Sequence, residues 1–201
     1  MVAAVWPYRT GFITPMAAVA GAVAEEVLAA IAGVPGLGTA HVNNGGDIAL
    51  HLAPGEALRI GLVRSLEAAV PEGLVRIAAA DPVRGIATSG WQGRSFSRGI
   101  ADAVTVLAAT AAEADAAATV IANAVDAVHP AVRRVPASSL DPDSDLGELP
   151  VTIGVGPCRR RWSRMRSMPG RRWRSGWCNG GWWWRRCWPW GMRRAPSVRL
   201  D

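Results

Sequence analysis

The chain has no lysine, so all 22 basic residues among its 201 are arginine. Dominance of arginine and alanine is typical of a GC-rich coding sequence and says little about chemistry. Aromatic content is also low, with one tyrosine and two phenylalanines. Half of the residues are nevertheless hydrophobic, which is enough for one domain with a sizeable core.

Cysteine is absent from residues 1–157, since Cys158, Cys178 and Cys187 are the only three in the chain. A disulfide framework is therefore excluded for the first three quarters of the sequence. The spacing of the three cysteines also matches no pattern of a zinc site.

Positive charge is scarce in the same part of the chain. Residues 1–157 hold nine arginines against 15 acidic residues, a net charge of −6, whereas residues 158–201 hold 13 arginines against one aspartate, a net charge of +12. The total of +6 is thus a property of the carboxy-terminal segment alone. We expect no nucleic-acid binding by residues 1–157.

An uninterrupted apolar run is missing too. The most apolar stretch, Met16–Ala32, contains Gly21 and the adjacent Glu25 and Glu26, so no membrane span and no membrane binding is expected of residues 1–157. The amino terminus shows neither the basic start nor the cleavage site of a signal peptide. These absences predict a cytoplasmic protein.

Hydrophobic spacing predicts two long helices among short strands, which indicates an α+β fold in which helices pack on a sheet. Thr14-Pro15 begins the first helix and Gly33 ends it; its predicted buried residues are Ala22, Val23, Val27, Ala30 and Ile31. The second helix is predicted from Ala111 to Val128. Strands are predicted at 41–42, 48–52, 58–63, 74–79, 85–88, 104–107 and 151–155, with a loop over 136–150.

The first candidate site is the sequence Asn43-Asn44-Gly45-Gly46-Asp47. Paired glycines permit positive φ, and the neighbouring amides can then face an anion or a polar ring edge. Asp47 would orient a ribose hydroxyl or a helix end. An ordinary β-turn with an Asn-Gly signature explains the same residues about equally well.

The second candidate is Thr88-Ser89-Gly90, which follows a predicted strand. Its two hydroxyls and free amides at a sheet edge suit phosphate or the carbonyl oxygens of a flavin. A capped strand end is the simpler interpretation.

The third candidate is the pair Asp115 and Thr119, four residues apart and so on one face of the second helix. A carboxylate and a hydroxyl are hard oxygen ligands suited to Mg²⁺, which keeps its other positions for water and phosphate. In isolation, an aspartate in the first turns and a threonine bonded to its own backbone is the commoner explanation.

In this order the segments resemble the ApbE-like superfamily, whose best-known members are Mg²⁺-dependent FAD:protein FMN transferases, and the closer resemblance is to an uncharacterised branch. The matching segments, covering most of residues 9–157, are Ile13–Glu25, Val42–Leu52, Gly85–Phe96, Gly99–Val106 and Ala114–Thr119. The resemblance implies an ApbE-like mixed sheet with packed helices. It implies Mg²⁺ ligands at Asp115, Thr119 and the backbone carbonyl near Val19. It implies a flavin site at Asn44, Gly45, Gly46, Asp47, Thr88, Ser89 and Gly90.

The sequence departs from the transferase pattern at two places. Ala20-Gly21 stands where the transferases have Lys-Gly, and Gly99-Ile100-Ala101-Asp102 lacks the histidine of their corresponding segment. These departures favour binding of FAD or FMN with Mg²⁺ over transfer. If transfer takes place, a threonine hydroxyl of another protein would accept FMN, and Asp102 is the candidate general base.

The carboxy-terminal segment 158–201 holds eight of the ten tryptophans, in a pattern typical of neither helix nor strand. An Arg/Trp membrane anchor, a stacking platform for single-stranded nucleic acid and an antimicrobial-like segment are alternatives. A shifted reading frame after Pro157 explains the composition better. Reading one base earlier turns each tryptophan codon, TGG, into a codon of the form NTG, which mostly encodes leucine or valine.

The sequence therefore predicts an ApbE-like domain fragment over 1–157 and an out-of-frame, disordered segment over 158–201. Further β-structure is expected to precede the segment around Thr14 in relatives, so the sheet is predicted to be incomplete. A product without any function of its own is the alternative to a flavin-binding domain.

Overall fold

A computed structural model describes residues 1–62, 73–156, 173–178 and 181–186. The described part has three α-helices and ten strands, with short 3₁₀ turns at Trp6–Tyr8, Pro15–Ala18 and Ala137–Ser139. The helices are α1 (Val2–Val5), α2 (Val19–Ala32) and α3 (Ala111–Ala124). The strands are β1 (Thr39–Asn44), β2 (Asp47–Leu52), β3 (Ala57–Leu62), β4 (Gly73–Ala78), β5 (Gly85–Ser89), β6 (Val104–Ala108), β7 (Val132–Pro136), β8 (Pro150–Val155), β9 (Trp173–Cys178) and β10 (Gly181–Arg186).

The central sheet has the strand order β1-β2-β5-β6, and each pair of adjacent strands in it is antiparallel. Helices α2 and α3 pack against it, and hairpins β3-β4 and β7-β8 form two smaller sheets. The predicted α+β class is confirmed. Strand β7 lies before the predicted 136–150 loop, which it enters only with Pro136, and it pairs with β8. Sequence spacing did not reveal this strand.

The buried face of α2 differs from the predicted one. Gly21, Ala24 and Leu28 are buried, whereas Val23 and Val27 are each 46% exposed and Ile31 is 39% exposed. The prediction from hydrophobicity was wrong because the helix approaches α3 so closely that only glycine and alanine fit at the centre of the contact. A Cβ built on Gly21 would lie 2.4 Å from the carbonyl oxygen of Ala111.

Helix α3 is almost entirely alanine on its buried sides and lies across the core. It ends at Ala124 instead of the predicted Val128. Val125 is already extended (φ −80°, ψ 92°), and its carbonyl accepts the Ile100 amide at 2.8 Å. The backbone of Ile100 therefore provides a hydrogen-bond donor to the residue at which the helix ends.

The stretch Pro15–Ala32 has the length and apolar composition of a membrane-crossing helix, against the expectation from Glu25 and Glu26. Core helices of soluble domains share this length and composition, so the match is weak evidence of a membrane segment. In the described fold the stretch packs on α3 and on strands β1 and β2.

The Trp/Arg-rich segment contains the antiparallel hairpin β9-β10, with Trp183 opposite Gly176. The pattern of its residues was typical of neither helix nor strand, so this hairpin was not predicted. The predicted frame change at Pro157 lies outside the described residues.

Candidate functional site

Asp115 lies in the second turn of α3 and is nearly buried, with 9% of its surface exposed. Its Oδ2 accepts the Gly21 amide at 3.1 Å, and the Ala20 amide donates to the same carboxylate. These amides belong to the first turn of α2, where no intrahelical acceptor exists. Asp115 therefore caps α2 from another helix.

Asp47 is the first residue of β2, and its carboxylate lies near enough to that of Asp115 to interact with it electrostatically. Its carboxylate accepts the Thr88 amide, and Asp115 repels its negative charge. Burial, and to a smaller extent this repulsion, raise the pKa of Asp47 to about 7. Burial also raises the pKa of Asp115 to about 6, although the amides of Gly21 and Ala20 partly oppose the shift. Within the described residues, neither carboxylate has an ion pair with an arginine.

The turn between β1 and β2 holds Asp47 in place. Gly45 and Gly46 have φ of +70° and +111°, which favours glycine at both positions. Asn43 Oδ1 accepts the Gly46 amide at 2.9 Å, and Asn44 Nδ2 donates to the Ala20 carbonyl at 3.2 Å. The turn is thereby fastened to the amino-terminal end of α2.

The Thr88-Ser89-Gly90 segment contributes its backbone to this site. The Thr88 hydroxyl is hydrogen-bonded to the Thr105 hydroxyl at 2.8 Å. The Thr88 amide donates a hydrogen bond to the Asp47 carboxylate. Gly90 packs against the backbone that precedes β6, since a Cβ there would lie 2.2 Å from the Asp102 carbonyl oxygen. Gly90 is thus explained by close packing, and Ser89 is half-buried at the end of β5.

Asp102 is exposed, and its Oδ1 accepts the indole Nε1–H of Trp91 at 2.9 Å. No contact in the described residues joins its carboxylate to Asp47 or Asp115. Its predicted role as a general base stays a prediction.

Thr119 follows Asp115 by one helical turn and is half-buried, and Val19 is the first residue of α2. Both therefore lie on the two helical segments that Asp115 joins. The described part of the chain has no group of three or more histidine, cysteine, aspartate or glutamate side chains suited to a metal. A cation here would need hydroxyl, carbonyl, water or phosphate oxygens besides the two carboxylates.

Sequence reasoning missed a second contact between the helices. Glu25 Oε1 accepts the Ala112 amide at 2.8 Å, so each helix supplies a carboxylate to the first turn of the other. The four-residue spacing of Gly21 and Glu25 places both on one face of α2, which was the available signal. The Thr110–Glu113 cap of α3 also follows the known Thr-x-x-Glu pattern.

Comparison of the sequence with known proteins identifies one family and several relatives. The family model described as AbpE bacteria matches residues 1–165. The UPF0280 protein of Methanopyrus kandleri is 41% identical over 150 residues, which are 73% of this chain and 57% of that protein. The UPF0280 protein of Methanoculleus marisnigri is 37% identical over 151 residues, 75% of this chain and 58% of that protein.

The chain thus spans somewhat more than half the length of these relatives. No solved structure matches it significantly. The matched region contains both carboxylates, the β1–β2 turn and the two helices that form the site. On the extent of the family match and the identity to these relatives, the chain belongs to the ApbE-like family in its bacterial AbpE branch.

Proposed function

We propose that the chain binds a flavin nucleotide, FAD or FMN, together with Mg²⁺ at the site formed by Asp47 and Asp115. The observation that carries the proposal is the meeting of these two carboxylates beside the first turn of α2, without an arginine ion pair in the described residues. Such a pair is costly to bury unless a cation neutralises it. Membership of the ApbE-like family supports a flavin as the ligand, because the best-known members of the superfamily that this sequence resembles use FAD.

The residues present fit Mg²⁺ better than a softer metal. The side chains proposed as ligands, Asp47 and Asp115, offer oxygen atoms only, and the described residues contain no cluster of three or more histidine, cysteine, aspartate or glutamate side chains suited to a metal. Mg²⁺ is usually held by one or two carboxylates and completes its shell with water and phosphate. Thr119 and the backbone near Val19 are the further protein oxygens in this proposal.

Each part of the site has a role in binding. Asp115 and Asp47 would hold the cation, which when bound supplies charge neutralisation on the phosphates. The hydrogen bond from Asn44 to Ala20 fixes the β1–β2 turn against α2, so the glycine amides stay in place for the nucleotide. The Thr88 amide orients Asp47. FMN transfer to a protein acceptor would need a base in addition.

Binding of FAD to the full chain, measured by calorimetry with Mg²⁺ and again with excess chelator, tests the proposal. We expect micromolar or tighter binding that weakens at least tenfold without Mg²⁺. Asp115→Ala should abolish the Mg²⁺ effect. Because Asp115 also caps α2, Asp47→Asn serves as a second variant that leaves this cap intact.

The matched control is Asp143→Asn, which removes one negative charge from an exposed position in the loop before β8. It should bind FAD as the unchanged protein does. Equal FAD affinity with and without Mg²⁺ would refute the cation site, and absence of FAD and FMN binding would refute the flavin assignment.

A further inference from the structure

The loop that follows β5 brings an arginine to the β1–β2 turn. A Cβ built on Gly45 would lie 3.8 Å from Arg94 Nη1 and 4.0 Å from Arg94 Cδ. The Arg94 side chain therefore lies along the turn whose far end is Asp47. Since Gly45 has positive φ, a larger residue there would be strained, and its Cβ would be in van der Waals contact with the Arg94 side chain.

Arg94 has no acidic partner in the described part of the chain. The ion pair found there joins Arg134 to Asp126. Asp47, two residues beyond Gly45, is influenced chiefly by burial, Asp115 and the Thr88 amide. The guanidinium is exposed, so its donors are open to a ligand.

Charge balance indicates what this ligand carries. Two carboxylates and one divalent cation leave the proposed site neutral, whereas a flavin nucleotide brings at least one phosphate. The chain has no lysine, and arginine matches phosphate oxygens with two parallel N–H donors. Arg94 is the guanidinium that lies against the glycine turn.

We propose that Arg94 is the phosphate-binding residue of this site and selects phosphorylated over unphosphorylated flavins. The inference rests on the proposed function, because it places the nucleotide at the Gly45–Gly46 turn. Arg94 would donate to the phosphate oxygens, and the cation held by the carboxylates would neutralise further charge on them. The isoalloxazine ring takes no part in this contact.

The test compares FMN, riboflavin and inorganic pyrophosphate as probes of the full chain with Mg²⁺. Arg94→Gln should raise the Kd of FMN and of pyrophosphate about tenfold, as expected for one lost charge-assisted hydrogen bond, and leave that of riboflavin unchanged. For Arg94→Lys, the Kd of FMN and of pyrophosphate should lie between the values of the unchanged protein and of Arg94→Gln. The control Arg59→Gln, an exposed arginine on β3, should change none of them.

The outcomes separate this inference from the proposed function. If the unchanged protein binds FMN and Arg94→Gln binds it equally well, the role of Arg94 is refuted and flavin binding stands. If only pyrophosphate binds and its binding depends on Arg94, the phosphate site stands and the flavin assignment fails. If the unchanged protein binds neither FMN nor pyrophosphate, both are refuted.

Discussion

Glu25 of α2 accepts the Ala112 amide of α3 at 2.8 Å. One helical turn away, Asp115 of α3 accepts the Gly21 amide of α2. The two helices therefore exchange carboxylates at their amino-terminal ends, where backbone N–H groups lack intrahelical acceptors and the helix dipole favours negative charge. This exchange fixes the site, because Asp115 and the first turn of α2 both belong to it.

Removal of the Glu25 carboxylate is expected to destabilise the fold. Glu25→Ala should lower the free energy of unfolding by about 1–2 kcal/mol, the usual cost of losing a helix cap. Urea denaturation followed by circular dichroism measures this change. The neighbouring Glu26 is exposed, so Glu26→Ala should stay within about 0.5 kcal/mol; equal losses in the two variants would contradict the assigned cap.

Addition of one methyl group at Gly21 should force α2 and α3 apart. The new Cβ would lie 2.4 Å from the Ala111 carbonyl oxygen, and overpacking of this kind costs about 1–3 kcal/mol. Gly21→Ala should therefore lower the melting temperature despite the better helix propensity of alanine. The control is Gly33→Ala, where no atom lies within 4 Å; this variant should be unchanged or slightly more stable.

The raised pKa values predict that stability falls as pH rises. The folded protein holds the protons of Asp47 and Asp115 up to pH about 7 and about 6, whereas both groups lose them near pH 4 when unfolded. Between these limits the native state binds more protons, so the free energy of unfolding decreases with pH. Denaturation at pH 4 to 8 in the presence of chelator measures this slope.

Asp47→Asn should remove the larger part of this pH dependence, since Asp47 has the larger shift. Asp143→Asn should retain the dependence. Saturating Mg²⁺ should flatten the curve in the unchanged protein, because a bound cation favours the ionised carboxylates. A free energy of unfolding that rises between pH 4 and 7 in chelator would show that the surroundings do not disfavour the ionised form of the two carboxylates.

Asp102→Ala is expected to change the environment of Trp91 rather than flavin binding. The variant removes the acceptor of the indole N–H, so the tryptophan emission should shift while the Kd for FAD stays within about twofold. If FMN transfer is ever observed, loss of transfer in Asp102→Asn with unchanged FAD affinity would establish its role as a base.

The order of the two long helices and of most strands followed from hydrophobic spacing, although strand β7 did not. The family resemblance assigned Asn44 and Asp47 to a flavin site and Asp115 to a Mg²⁺ site, but it did not indicate that the two carboxylates lie close together. The buried face of α2 could not be predicted, because it depends on how closely α3 approaches Gly21 rather than on the hydrophobicity of α2. Arg94 lies in the matched segment Gly85–Phe96, but its contact with the β1–β2 turn was equally inaccessible to sequence reasoning. Its position beside Gly45 depends on the path of the loop after β5, which no local pattern specifies.

The cap on α2 comes from a residue 94 positions later in the sequence. During synthesis at about 5–20 residues per second, the first turn of α2 exists for roughly 5–20 s before Asp115 has been made. A short helix with free amino-terminal amides is marginal in water, so α2 should acquire its lasting order only after α3 emerges. Before α3 is made, the nascent amino-terminal half therefore exposes the valines of α2 to solvent. We expect a chaperone to bind the chain at this stage of synthesis.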